Sequence, residues 1–291
     1  MQPGLHRAAG TVRASPSERY SPGMAVVTVE RRDRVAVVTL NRPEARNALN
    51  PELVVSLARV WEELAADDSV WVVVLTAAPG STFCAGFDLA TFIPLLTRSK
   101  EPADEWDRIV AADLGIAGRA TLRDLDLGKP LVVAANGHAI AGGMELLLAA
   151  DLRVVASGAK LGLSEVALGL IPAMGGTARL GRHLPPALAA ELLLTAKPIS
   201  AEQAQQWGLL NRVVPADAVL DTALQLADTI AANAPLAARA ARRVLRDAAD
   251  LTAEQALALE AELSAQLAAT ADAVEGPRAF VEKRPPRFEG R

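Results

Sequence analysis

Cysteine is nearly absent from the sequence: Cys84 is the only one among 291 residues, and histidine occurs three times. A single cysteine cannot form an internal disulfide, and it excludes a cysteine-rich zinc site. Because proteins of oxidising compartments commonly carry disulfides, the sequence favours the cytoplasm. We expect Cys84 to be a small core residue, since no neighbouring group would activate its thiolate.

An excess of basic residues is also lacking, because 30 Lys and Arg stand against 34 Asp and Glu, for a net charge of −4. Nucleic-acid-binding proteins usually carry a basic surface, which this balance does not support. The longest notable uncharged run, Pro130 to Met144, is shorter than the roughly 18 residues of a membrane span. It also contains Asn136 and His138. We therefore expect neither a nucleic-acid partner nor a membrane partner.

The first 23 residues contain no apolar segment of the kind found in a secretory signal. We predict that residues 1–23 form a disordered leader, or an upstream extension of a chain that begins near Met24. A transit peptide is the less favoured alternative. Hydrophobic residues make up 51% of the sequence, so the rest of the chain can bury a sizeable core.

Short apolar runs bounded by turn residues predict buried β-strands. The clearest runs are Val35–Leu40, Val70–Thr76, Leu131–Ala135 and Leu152–Ala156. Helical patterns lie between them, the first opened by Asn50 and Pro51, and this alternation indicates an α/β domain. Residues 98–128 lack a strand pattern and predict an insertion over the core surface. After about residue 200, Ala/Leu-rich helices with capping boxes at Ser200 and Thr252 continue to about Lys283.

The segment PLVVAANGHAIAGGME, residues 130–145, carries the strongest chemical signal. It predicts a strand, a glycine turn and a helix that begins near Gly142. Free backbone N–H groups and the helix dipole at such an N-terminus suit a developing oxyanion. Close packing between helix and strand is the alternative explanation for Gly142 and Gly143. The segment lacks the Lys and Ser/Thr of a P-loop, and the chain has no dinucleotide fingerprint, nucleophile elbow or H-E-x-x-H motif.

Two glutamates stand alone among apolar residues. Glu145 falls in the first turn of this helix, where a glutamate can simply compensate the helix dipole. The helix is apolar on all sides, however, and a buried carboxylate is costly unless it is paired or functional. Glu165 is a second lone acid, ahead of the glycine-rich turn at Gly175 and Gly176. Two such carboxylates suit general acid/base work on a substrate whose carbonyl becomes an enolate, although spacing does not show that they converge.

The chain resembles the crotonase (enoyl-CoA hydratase/isomerase) family in five segments that occur in the family's order. These are NRPEARNALN (41–50), FCAGFDL (83–89), KPLVVAANGHAIAGGMELLLAADLRV (129–154), LSEVALGLIPAMGGTARL (163–180) and EGPRAFVEKRPP (275–286). The resemblance implies an α/β fold with a spiral of ββα turns. Residues 24–215 would form the acyl-CoA-binding catalytic core and residues 216–291 a helical part for oligomerisation. The partners implied are an acyl-CoA thioester substrate and further copies of the chain, in a homotrimer or hexamer.

For the active site, the resemblance implies that Phe87 and Gly142 donate their backbone N–H groups to the oxyanion. It implies that Glu145 activates water and that Glu165 protonates the α-carbon. The other expected substrate-binding residues are Ala45, Arg46, Ala48, Ala85, Gly86, Asp88, Leu89, Gly143, Pro172, Ala173 and Lys283. Arg46, Arg98 and Lys283 are candidates for the CoA phosphates. The family uses no metal, and no cofactor is implied, because coenzyme A is part of the substrate.

The expected reaction is hydration of a 2-enoyl-CoA to a 3-hydroxyacyl-CoA through a stabilised enolate. A double-bond isomerase or another crotonase-type lyase is the alternative. Isomerisation would need only one acid/base group, so the presence of both glutamates favours hydration. A catalytically silent acyl-CoA binder, or an RNA-binding protein, is the alternative of another class. The sequence departs from the family at Ala141 and Ala173, where glycine is common, and at Phe87, which is bulkier than the usual alanine and bears on the choice of acyl chain.

Overall fold

A computed structural model of the chain describes residues 25–291, so the predicted leader, residues 1–23, lies outside the described residues. The strands are β1 (Val27–Arg32), β2 (Val35–Leu40), β3 (Val72–Ala77), β4 (Thr82–Cys84), β5 (Leu131–Ala135), β6 (His138–Ile140), β7 (Leu152–Ala156), β8 (Lys160–Gly162), β9 (Ile199–Ser200) and β10 (Arg212–Val214). The helices are α1 (Pro51–Ala66), α2 (Ile93–Leu96), α3 (Glu105–Ala112), α4 (Ile116–Ala120), α5 (Gly142–Ala149), α6 (Gly176–His183), α7 (Pro186–Thr195), α8 (Ala201–Gln206), α9 (Val219–Ala231), α10 (Pro235–Asp247), α11 (Ala253–Ala268) and α12 (Ala271–Val281).

The strands form two sheets, and from β3 to β8 successive strands alternate between them. A six-stranded sheet has the order β1-β2-β3-β5-β7-β10, and a four-stranded sheet has the order β4-β6-β8-β9. The pairs β3/β4, β5/β6 and β7/β8 each give one strand to each sheet before the chain continues into helix. Pairing is parallel except between β1 and β2 and between β8 and β9. The predicted ββα spiral is therefore confirmed.

Strand prediction succeeded where the strand is a buried apolar run. Strands β2, β5 and β7 have the predicted bounds, and β3 begins two residues later than predicted. The difference arises because Val70 donates its N–H to the carbonyl of Asp67 in the turn after α1. Edge strand β1 and the short strands of the second sheet were not predicted.

The first helix and the insertion lie against each other. Asn50 caps α1 by accepting the N–H of Leu53 over 3.0 Å, as predicted. The segment 98–128 contains α3 and α4 but no strand. The indole N–H of Trp61 donates to the carbonyl of Ala120 over 2.8 Å, which fixes the insertion on α1.

The helical C-terminal part begins on the core. Val219, Ala223 and Ala227 of α9 are fully buried, and α9 lies across β3, β5 and β7. The predicted capping box at Thr252 is present in full, whereas Ser200 caps α8 by accepting the N–H of Gln203. No helix within residues 25–291 is both long and apolar enough to cross a membrane.

Candidate active site

Three loops that follow neighbouring strands of the second sheet meet at one edge. Strands β4, β6 and β8 are parallel neighbours, so their carboxyl ends lie on the same side. Phe87 follows β4, Gly142 follows β6, and Glu165 follows β8. Carboxyl ends of parallel strands are the usual place for ligand sites in α/β proteins.

Two backbone N–H groups at this edge have no acceptor within the described chain. Gly142 is the first residue of α5, so its N–H has no partner inside the helix. The strand-like contact around Phe87 uses the carbonyl of Gly86 and the N–H of Asp88, which bond to Leu49 and leave the Phe87 N–H unused. A methyl group added to Gly86 would lie 3.1 Å from the Gly142 nitrogen, so the two loops are in contact.

The glycine run fixes the start of α5. A side chain on Gly143 would overlap the carbonyl oxygen of Cys84, so the helix reaches β4 only with glycine there. Close packing therefore explains Gly143, whereas the free N–H group belongs to Gly142. Ala141 precedes the helix with φ 51° and ψ −122°, a backbone conformation that strains any residue with a side chain.

Glu145 is buried in the first turn of α5, with only 1% of its surface exposed. One carboxylate oxygen, Oε1, accepts the N–H of Met174 over 2.7 Å and that of Gly176 over 2.9 Å. Burial raises the pKa of Glu145, and these two hydrogen bonds oppose that rise. Both bonds go to Oε1, which leaves Oε2 available to hold water.

Glu165 begins the short 3-10 turn Glu165–Leu168 after β8. Its Oε2 is buried and has no hydrogen-bond partner within the described chain. Burial raises the pKa of Glu165 to about 7, and the nearby Glu145 carboxylate adds to the rise. The two acids therefore differ, because Glu145 has donors that favour its ionised form whereas Glu165 has an oxygen suited to carry a proton.

Most of the expected substrate-binding residues lie around this edge. The segment containing Ala45, Arg46 and Ala48 pairs with Ala85 and Gly86, since Ala85 donates to the Arg46 carbonyl over 3.1 Å. Asp88 accepts from Arg42 over 2.8 Å and from the N–H groups of Ala90 and Thr91. Leu89 is 60% exposed, and Pro172 and Ala173 belong to the loop that contacts Glu145.

Two other expected residues, Gly143 and Lys283, make contacts of a different kind. Gly143, within α5, packs against Cys84 of β4. Lys283 is exposed just beyond α12, where its backbone N–H donates to the carbonyl of Phe280 over 3.2 Å. Cys84 is fully buried, as predicted, and burial raises the pKa of its thiol to about 12. His138 accepts the N–H of Lys160 at Nδ1 over 2.9 Å.

Two arginines near Glu145 were missed from the sequence. Arg123 lies in the charged insertion and Arg179 in α6, and both oppose the rise in the pKa of Glu145. Arg123 is indistinguishable in sequence from a solvated surface cation. Its role depends on a carbonyl 50 residues away along the chain.

The two-sheet spiral, with a glutamate pair beside free N–H donors, defines a crotonase-fold protein. The family described as "Enoyl-CoA hydratase/isomerase" matches residues 30–291. An enoyl-CoA hydratase of Mycobacterium tuberculosis is 40% identical over 90% of this chain and 96% of its own length. A 2,3-dehydroadipyl-CoA hydratase of Escherichia coli is 40% identical over 92% of this chain and 100% of its own. A crystal structure of an enoyl-CoA hydratase from M. tuberculosis superposes with a TM-score of 0.81 at 37% identity, covering 92% of this chain and all of that one. The chain belongs to the enoyl-CoA hydratase/isomerase family.

Proposed function

We propose that the chain hydrates 2-enoyl-CoA thioesters to 3-hydroxyacyl-CoA thioesters. The observation that carries this proposal is the asymmetry between the two acids. Glu145 accepts two backbone N–H groups through Oε1, whereas Glu165 has a buried Oε2 without a partner in the described chain. Hydration needs one carboxylate that takes a proton from water and one carboxylic acid that gives a proton to carbon.

In the proposed reaction, the thioester oxygen accepts the N–H groups of Phe87 and Gly142. Glu145 removes a proton from water as the water oxygen bonds to the β-carbon, and the alkene electrons move onto the thioester oxygen. The enolate then collapses as Glu165 transfers its proton to the α-carbon. The proton on Glu145 returns to Glu165 before the next turnover. Each oxyanion donor is expected to contribute about 2.7–4 kcal/mol to the transition state.

The decisive experiment is an assay of the wild type and of glutamine variants with enoyl-CoAs of increasing chain length. We expect Glu145→Gln and Glu165→Gln each to slow hydration by about two to four orders of magnitude with little change in affinity. The double variant should lose less than the product of the two, because the residues act as a unit. Gly142→Pro removes the donor N–H and should abolish activity with every substrate.

The alternatives give different outcomes in the same assay. Conversion of 3-enoyl-CoA to 2-enoyl-CoA without hydration would favour the isomerase. Binding of every enoyl-CoA without turnover would favour the silent binder. Near wild-type hydration by both glutamine variants would contradict the assignment of the two acids.

We also propose that the chain assembles as a homotrimer or hexamer through its C-terminal helices. Large apolar side chains of α10, α11 and α12 are exposed in the single chain. They are Leu245, Leu257, Val274, Phe280 and Val281. Exposed apolar side chains of this size are typical of a subunit interface. Sedimentation of the wild type beside Phe280→Asp tests this, and a monomeric wild type at micromolar concentration would contradict it.

The remaining assignments follow the proposed substrate. Arg46 and Arg98 are the cations we propose for the CoA phosphates, together with Lys283. Besides water and the acyl-CoA substrate, the proposed chemistry uses the two acids and the two N–H donors. A single cysteine, buried in the core, supports the cytoplasm as the compartment.

A further inference from the structure

One peptide bond links a surface arginine to the buried Glu145. The carbonyl of Ala173 accepts a hydrogen bond from Nη1 of Arg123 over 3.0 Å. The N–H of the same peptide, on Met174, donates to Oε1 of Glu145 over 2.7 Å. A cation at the carbonyl oxygen polarises the peptide and makes its N–H a stronger donor. The charge of Arg123 therefore reaches Glu145 through the main chain.

A second arginine makes the reciprocal link. Arg179, on α6, donates to the carbonyls of Thr121 and Leu122, the residues directly before Arg123. The insertion and the segment 173–179 thus each donate an arginine to backbone carbonyls of the other. These bonds fix the loop that contacts Glu145 to the insertion. Gly176, the first residue of α6, supplies the second N–H to Glu145.

The charged groups that face Glu145 come from three elements. Arg179 of α6 and Arg123 of the insertion lower its pKa, while Glu165, after β8, is the neighbouring acid. Asp124 lies beside the two arginines. Its carboxylate accepts from Nε of Arg123 over 2.8 Å, and its charge opposes the fall in the pKa of Arg179 that burial causes. Neither arginine forms a hydrogen bond with a glutamate of the site, so each acts on Glu145 through the backbone or through space.

We propose that Arg123 and Arg179 are positioning residues that hold the Ala173–Met174 peptide against Glu145 and keep that carboxylate ionised. The proposal rests on the proposed function, in which Glu145 must be ionised to take a proton from water. The arginines act on the base without touching the substrate, so their loss should change kcat and its pH dependence rather than KM.

The sign of the pH effect follows from the charges. A cation stabilises the ionised carboxylate, so removing it raises the pKa of Glu145 and protonates the base at higher pH. In Arg123→Gln, the acid limb of the kcat/KM profile should move upward by about half a pH unit or more. We expect kcat at neutral pH to fall about 3- to 30-fold, a part of what the general base supplies, with KM little changed.

Matched variants separate this effect from general damage. Arg123→Lys keeps the charge and should recover part of the activity and most of the acid limb. Arg119→Gln is the control, because Arg119 lies on the same insertion but pairs with Glu62 and Asp113. Arg179→Gln tests the second link. If that variant does not fold, Arg179→Lys takes its place, because it retains the charge.

A measurement without turnover distinguishes this proposal from the proposed function. Carbon-13 NMR of glutamate-labelled protein can follow the Glu145 carboxyl through a pH titration, with Glu145→Gln identifying its signal. The midpoint should rise in Arg123→Gln and stay unchanged in Arg119→Gln. An unchanged midpoint, or a slower Arg123→Gln enzyme with its acid limb in the wild-type position, would overturn the proposal. Failure of the wild type to hydrate any enoyl-CoA would overturn the proposed function and leave the titration to decide this inference.

Discussion

Arg153 and His183 share a hydrogen bond at the C-terminal end of α5, with Nη2 of the arginine 2.9 Å from Nε2 of the histidine. A guanidinium has only donors, so Nε2 is the acceptor. The same guanidinium also donates to the carbonyls of Leu147, Leu148, Ala150 and Leu209. A positive charge therefore lies at the negative end of α5, and the helix presents Gly142 and Glu145 at its other end.

The histidine makes stability depend on pH. Burial, helped by the Arg153 charge, lowers the pKa of His183 to about 4 from its ordinary 6.5. Between these values the unfolded chain binds the proton more readily, so the free energy of unfolding should fall as the pH drops through this window. The loss should be about 1 kcal/mol, because the ring is partly exposed. In His183→Gln, which keeps an acceptor that does not titrate, urea unfolding from pH 7 to 4 should show a shallower slope. Identical slopes in the two proteins would refute this.

Glu165 should have the opposite effect on stability. Burial raises its pKa to about 7, so its contribution is present at low pH and is lost as the pH rises through 7. Glu165→Gln should therefore be more stable than the wild type at pH 8, by about 1 kcal/mol after allowance for solvent screening, while losing hydration. Thermal unfolding at pH 5 and pH 8 measures the difference, with the exposed Glu191→Gln as control. A variant no more stable at pH 8 would contradict this stability cost.

Gly176 and Gly181 offer a matched test of the Glu145 site within one helix. A methyl group on Gly176 would lie 2.9 Å from Oε1 of Glu145 and 2.7 Å from Cβ of Pro172, whereas one on Gly181 meets open space. Gly176→Ala should lower kcat about 10- to 100-fold by displacing the carboxylate. Gly181→Ala should retain full activity and gain up to about 1 kcal/mol of stability from helix propensity. Equal activity in the two variants would show that the carboxylate tolerates displacement.

Ala141 is a site of backbone strain that glycine would relieve. Its φ of 51° and ψ of −122° lie where glycine is favoured, so Ala141→Gly should raise the free energy of unfolding by about 1 kcal/mol. Ala139→Gly, in strand β6, should destabilise the protein instead. Denaturant unfolding of both variants gives the comparison. A destabilised Ala141→Gly would mean that the loop is held by the alanine methyl group rather than strained by it.

The fold was predictable wherever one strand buries a continuous apolar run. Val35–Leu40 and Leu131–Ala135 are such runs, and their bounds matched the sequence prediction. The strand Thr82–Cys84 is too short to show a period, and its pairing with β6 depends on contacts made after folding. Edge strand β1 was missed because its last residues are charged and exposed.

The residues of the candidate site were likewise predictable only in part. Glu145 could be singled out because an acid in an all-apolar helix is conspicuous. Its partners could not, because Met174 and Gly176 contribute backbone N–H groups, which every residue but proline possesses. Arg123 donates to a backbone carbonyl, a group that every residue possesses, so the sequence does not identify its partner.

The main-chain character of the Arg123–Glu145 link has a consequence for evolution. Side chains at 173 and 174 can be exchanged without altering the peptide that joins the two charges, provided that position 174 keeps its N–H. Natural drift can therefore exchange the side chains of this loop while the hydrogen bonds that join Arg123 to Glu145 are kept. Relatives with different residues at these positions can share one protonation chemistry, and a comparison of side-chain identities would overlook what they have in common.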